Sequence, residues 1–537
     1  MSIVAVSALL VADSARAAEL IAPERELSSA VDHYVNQRLH QDNITPAPLV
    51  DDANFVRRVT LDLAGRIPTV SEVDAYLHSS EPNKKARLVD RLLAAPDFAF
   101  HQRNEIEMLL AGEGRSDNNW REYLLTVARE NRPWDRVFRD IMLADDADEK
   151  YKHSVQFIKS RIKDRTKLTN DVSSLFFGVN ISCAQCHDHP LVDAWQQDHF
   201  FGMAAFFNRT YLTKKDTLAE RNIGEVKFTT TEGVEKTASF MFLTGDVAQE
   251  PRLEWTDAQK KADDEEYKRQ RDKKDAPPAK PAKYSPRTQF VRLALQPKET
   301  SFFARSIANR TWLRLFGLGI VDPPDQLHDD NPGSHPQLLE WLARDLRAHD
   351  YDLQRLIRGL VLSDAYARSS QWEGEAAPDA TYFAIGSMRA LTPRQYGVSL
   401  FVAAWNPETL DPYQDEEWLK QRERFENSAN FMTDLIAAPD EHFQVGVEEV
   451  LYFSNNKRFQ DEFLRDASDR LVGHLKTFDD PDKQIETAFR ATLSRLPDEE
   501  ERKLFNEYLN DRQDRSLSGL QQAAWALLTS SELRFNY

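Results

Sequence analysis

With 537 residues the chain is long enough for two to four domains. Its 41% hydrophobic content, with 30 Phe and 10 Trp, excludes a disordered chain, and its 18 Gly weigh against a many-turned β-protein. A net charge of −18 excludes nucleic acid as a partner, because a phosphate backbone repels such a surface.

The N-terminus reads as an export signal. Ile3 to Ala12 is an apolar run, and Ala15-Arg16-Ala17 after it is an A-x-A cleavage pattern. No Lys or Arg precedes the run, a departure from the usual signal. The run is shorter than the ~20 residues of a bilayer span. Residues 1–18 are therefore expected to be a signal peptide and the protein to be exported, periplasmic or otherwise extracytoplasmic. No later apolar stretch is long enough to predict a membrane span in the mature chain.

Apolar spacing predicts helices at 26–40 (Leu27, Val31, Tyr34, Val35, Leu39) and 52–64 (Phe55, Val56, Val59). Thr69-Val70-Ser71-Glu72 is a capping box after Pro68, and its helix is expected to bury Val73, Tyr76 and Leu77. Leu88, Leu92 and Leu93 mark another helix, and Trp120–Arg129 and Trp134–Leu143 two more. Asp171–Phe177 leads into the two cysteines, and Trp195–Phe207 is an aromatic-rich helix after them. Val226–Thr231 and Thr237–Phe242, around Glu232-Gly233, alternate as a β-hairpin. Residues 256–286 read as a charged helix or linker ending in a Pro-rich hinge.

Beyond Pro286, Phe302–Phe316 is predicted helical and is stopped by Gly317 and Gly319. The stretch from Asp322 to Gly333 is predicted loop. Ser334-His335-Pro336-Gln337 and Thr392-Pro393-Arg394-Gln395 read as capping boxes, and Leu338, Leu339, Trp341, Leu342 and Leu346 fill the face of the helix after the first. Gln484 to Tyr537 reads as two or three helices, and no internal repeat is found. The expected fold is mainly α: a helical domain at 19–210, a small β-hairpin region at 211–250, a linker at 251–286 and a second helical domain at 287–537.

The chemistry centres on Cys183-Ala184-Gln185-Cys186-His187, which holds the only two cysteines of the chain. C-x-x-C-H is the attachment pattern of c-type haem. Two thiols at i and i+3 share one face of a helical turn and can reach the two haem vinyl groups, and the adjacent His faces the iron. The chance of this spacing arising by accident is on the order of 1 in 10,000. Phe176, Phe177, Trp195, Phe200, Phe201, Phe206 and Phe207 are candidates for an apolar haem pocket. His199 and Met203, one turn apart, are candidates for the sixth ligand, with core packing as the plain alternative. His189 is too close to His187 to reach the opposite haem face readily. Two other readings stay open. One is Zn or Fe held by Cys183, Cys186 and two of His187, His189 and His199. The other is a disulfide, redox-active or plain. The acidic loop Asp322, Asp325, Asp329, Asp330 and Asn331 lacks the order of a Ca²⁺ loop, and Arg305, Asn309 and Arg310 are expected to hold it through bidentate pairs.

The stretch Ile181–Pro190 with Trp195, Asp198 and Ala204–Phe207, together with Phe55–Thr69, resembles the planctomycete cytochrome-like domain of PSCyt type. Arg305–Gly317, Asn331-Pro332 with Leu338–Leu342, and Trp525–Glu532 resemble its usual C-terminal partner, the PSD type. Both are domains of unknown function. Members often carry a further cytochrome c domain ahead of these two; this sequence does not, so a haem role here rests on Cys183, Cys186 and His187. Leu391-Thr392-Pro393-Arg394-Gln395 is more neutral than the family's Arg-rich, acid-containing helix start.

The leading expectation is an exported haem c electron-transfer protein that docks an exported protein partner. Two alternatives accompany it: a hydrolase acting on polysaccharide with a non-haem metal, and a non-catalytic scaffold.

Overall fold

The computed structural model describes residues 20–111, 117–144, 146, 148–189, 192, 195–251, 254–296, 301–436 and 446–537. The segment expected to be a signal peptide, 1–18, lies outside them. The architecture is mainly α, as expected, with only small antiparallel two-stranded ribbons among the described residues.

The helices of the first half are α1 (Leu27–Gln41), α2 (Asp52–Ala64), α3 (Val70–Leu77), α4 (Lys84–Ala94), α5 (Pro96–Ala111), α6 (Asn118–Arg129), α7 (Trp134–Met142), α8 (Gln156–Lys159), α9 (Arg165–Phe177) and α10 (Gln197–Asn208). Then come α11 (Asp257–Asp272), α12 (Pro286–Ala294), α13 (Phe302–Phe316), α14 (Pro336–Ala348), α15 (Leu353–Val361), α16 (Pro393–Ala404) and α17 (Asp415–Ser428). Further helices from Met432 to Arg534 complete the chain. The Thr69 and Thr392 capping boxes form as predicted. A further capping box, not anticipated from the sequence, forms at Thr256 and starts the charged helix α11.

Three local expectations are corrected. Leu77 is 42% exposed: it follows Val73 by one turn on the same side of α3, but it is the last residue of the helix and the core does not cover it. The Ser334 capping box does not form: His335 is the N-cap and makes no side-chain cap bond, while Ser334 donates its hydroxyl to the Ile320 carbonyl. The single hairpin is replaced by three short ribbons. Here β1 (Thr210–Leu212) pairs with β2 (Leu218–Glu220), β3 (Lys227–Thr229) with β4 (Glu235–Thr237), and β5 (Phe240–Met241) with β6 (Val247–Ala248). Gly233 and Gly245, both at positive φ, set the second and third turns, so the strand expected at 237–242 is divided between two ribbons.

One apolar core gathers side chains from Leu27 to Ala384 and so draws on both halves of the chain. Phe138 and Phe290 are at its centre, both fully buried. A second core gathers side chains from Leu391 to Leu533 and also takes in Leu61 and Ile67. At the end of the chain, β7 (Arg389–Ala390) pairs with β8 (Phe535–Asn536).

A buried ion network joins α2, α3 and α5 to α17. Arg66 bonds Asp97 and Glu72, each at 2.7 Å. Arg422 bonds the same Asp97 at 3.1 Å and Glu426 at 2.8 Å, and Arg103 also pairs with Glu426. Burial alone would raise both glutamates. Arg66 overcomes it at Glu72, and Arg422 with Arg103 at Glu426, so each carboxyl is held down at about 2 instead of the usual 4.5. A depressed folded-state value stabilises the fold above the unfolded value, and that stability is lost as pH falls from about 4.5 toward 2. Thermal melts across this window should show a steep fall in melting temperature that the Glu426→Gln variant reduces. Identical acid limbs for the two proteins would contradict this origin.

Candidate functional site

The cysteine turn is built by the end of α9. Gly178 closes that helix at φ +66°, where a Cβ would stand 2.5 Å from Leu327, so the left-handed conformation and the close approach both require glycine. The next residues are tied to a strap from the second half of the chain. Val179 bridges Gln326, the Leu327 N–H donates to the Gly178 carbonyl at 2.9 Å, and the Asn180 N–H donates to the Asp325 carbonyl at 2.8 Å. The Asn180 side chain then accepts from the Ser182 N–H at 3.1 Å and hydroxyl at 2.7 Å, which starts a 3₁₀ turn over Ser182–Gln185.

Ala184, fully buried, plugs this turn into the core, and Cys183 and Cys186 stand on its outside, exposed and unpaired. The disulfide reading is therefore not the state of this structure. His187 is exposed as well, and its Nδ1 lies 2.7 Å from the Asp188 carbonyl. A carbonyl only accepts, so Nδ1 carries the proton and Nε2 keeps its lone pair. The Asp188 carboxylate accepts from the Gln197 N–H at 3.0 Å, which fixes the turn to the start of α10.

The other predicted ligands are placed differently. His189 is buried; its N–H donates to the Trp195 carbonyl at 2.8 Å and its ring meets Trp195 edge-on at 5.9 Å. Burial, then the nearby His328 and His187, hold its imidazole below the ordinary value. His199 is half-buried, and its Nδ1 accepts from the Gln196 N–H at 3.3 Å, so that nitrogen serves the N-terminus of α10. Met203 is fully buried in the core. Among the described residues no three His, Cys, Asp or Glu side chains come together as a metal-holding group.

The aromatic residues expected to form a haem pocket are core residues. Phe176, Phe177, Phe206 and Phe207 are at most 1% exposed, and their rings contact Phe138, Phe290 and Phe303. Phe201 stacks on Phe228 at 4.2 Å.

His328 went unnoticed in the sequence. It is in the strap, its ring meets Trp195 edge-on at 5.7 Å, and its Nδ1 is buried without a hydrogen-bond partner. In the sequence, the acidic loop that contains it stands out only through its carboxylates. Asn309 holds that loop, but through the backbone: its amide donates to the Val321 carbonyl at 2.7 Å and accepts from the Val321 N–H at 2.9 Å. Among the described residues the expected bidentate arginine pairs are not seen; Arg310 donates to the Ser174 carbonyl at 2.7 Å.

Residues 30–211 match the PSCyt2 family, described as a protein of unknown function (DUF1549), and residues 286–434 match the PSD1 family, likewise of unknown function (DUF1553). No curated protein and no solved structure matches the chain. The cysteine turn lies inside the first match and the His328 strap inside the second. The chain thus carries a PSCyt2 region followed by a PSD1 region, in the order its sequence resemblances imply.

Proposed function

We propose that the protein is an exported electron-transfer protein carrying one covalent haem c, anchored through Cys183 and Cys186 and ligated by His187. One observation carries this reading: two unpaired, exposed thiols on a single 3₁₀ turn, followed by an imidazole whose Nδ1 is engaged and whose Nε2 is left to bind iron. The thiols fit thioether attachment, and the hydrogen bond to the Asp188 carbonyl fits the usual second contact of a metal-ligating histidine.

When bound, haem supplies a one-electron couple at the iron. The residues of the chain would hold it. Ala184 and the Asn180 cap hold both sulfurs on the outside of the turn. The Asp188 carbonyl holds the His187 proton on Nδ1. A net charge of −18 favours docking to a cationic exported partner, with association that weakens as salt rises.

Protein co-expressed with the haem c maturation machinery is expected to show a Soret band and to stain for peroxidase activity after denaturing electrophoresis. Cys183→Ser with Cys186→Ser should abolish the stain. His187→Ala should keep it while altering the visible spectrum of the native protein. A spectrum unchanged by His187→Ala would remove that residue from the iron.

A further inference from the structure

A cleft of about 840 Å³ runs between α2, α5, α13 and the β7–β8 ribbon. It falls within the ~300–1,000 Å³ of small-molecule sites. Leu109, Leu313, Leu318 and Ile357 give it apolar walls. Met108 and Met388, which also line it, are 40% and 63% exposed. Exposed thioethers beside a concave apolar wall are a common feature of ligand-binding surfaces.

Most of the charged groups in the cleft are already compensated. Asp62 accepts from the Tyr366 hydroxyl at 2.6 Å, the Arg389 guanidinium at 2.8 Å and the Asn536 amide at 3.0 Å. Asp62 is thus fully engaged by its neighbours. Arg314 Nε stands 3.4 Å from Glu105, and its two Nη atoms donate to Gln102 and to the Asp62 carbonyl. Arg310 is different. Its one hydrogen bond goes to the Ser174 carbonyl, its Nε is buried without an acceptor, and no carboxylate lies within ion-pair distance among the described residues. Burial pushes its guanidinium down to about 10, against the distant pull of Asp325.

We propose that this cleft binds a small monocarboxylate with an apolar aryl or alkyl body, its carboxylate seated on Arg310. A half-buried cation without a counter-ion is costly, and an anion from outside relieves that cost. One planar, singly charged group matches one guanidinium in both charge and geometry. The apolar body then covers the exposed methionines. This site is separate from the cysteine turn and does not depend on haem.

Isothermal titration of the full chain with naphthoate and with decanoate, and with the corresponding alcohols naphthol and decanol, tests the proposal. At least one carboxylate is expected to bind saturably and more tightly than its alcohol. Arg310→Gln should weaken that binding about tenfold or more, and Leu318→Trp, which narrows the cleft from the turn after α13, should block it. Both variants should melt as the parent does without ligand. Failure of both carboxylates to bind, alcohols binding as tightly, or Arg310→Gln binding like the parent would overturn the proposal.

Discussion

Replacing Arg66 with alanine is expected to cost about 3–5 kcal/mol of stability, among the largest single-residue effects in the molecule. Arg66 is 1% exposed and bonds both Asp97 and Glu72, and its guanidinium lies 4.6 Å from the centre of the Trp418 ring. Without it two carboxylates remain in the interior. Asp97 keeps Arg422 and the Trp418 N–H, and Glu72 keeps the more exposed Arg91 and the Thr69 backbone N–H and hydroxyl. The uncompensated charge, not the lost attraction, sets the magnitude. Denaturant unfolding of the parent and of Arg66→Ala measures it. A loss within the ~0–1 kcal/mol of a surface ion pair would show that water reaches the network.

Phe138→Ala should be comparably severe, at about 3–5 kcal/mol. The Phe138 ring is fully buried and meets Phe176 at 5.1 Å, Phe177 at 5.7 Å, Phe290 at 5.9 Å and Phe303 at 5.0 Å. Phe176 and Phe177 end the helix that positions the cysteine turn, whereas Phe290 and Phe303 come from the second half of the chain. The cavity left behind would loosen both sides together. Amide exchange should therefore rise in α9 and in α13 alike. Loss of protection confined to α7 would show that the two halves do not depend on this ring.

Helices whose apolar residues repeat at 3.6 spacing are legible in the sequence, and α1, α2, α4 and α13 lie close to where periodicity places them. Leu77 shows the limit of that logic: it shares the apolar side of α3 with Val73 but stands at the helix's last residue, where nothing covers it. The helix α5 shows no clean apolar stripe, because Asp97, His101, Gln102, Arg103 and Glu107 are buried alongside Phe98, Phe100, Ile106 and Leu110. The polar half of that face is interpretable only with its partners, Arg66, Arg422 and Glu426, which come from other elements.

The candidate site divides the same way. Cys183, Cys186 and His187 stand out locally through their spacing. His328 does not, because the strap that brings it to Trp195 depends on pairing across more than 140 residues, such as Asn180 with Asp325. The aromatic cluster near the cysteines was legible as apolar, yet its rings turn inward to the shared core, which only the long-range contacts with Phe290 and Phe303 specify.

The most direct test of the haem reading is the intact mass of the protein after co-expression with the haem c maturation machinery. The expected mass exceeds that of the processed chain by one haem, with no thiol left to react with iodoacetamide; the Cys183→Ser, Cys186→Ser variant should show the bare chain. A parent protein with the bare mass and two alkylatable thiols would contradict the reading.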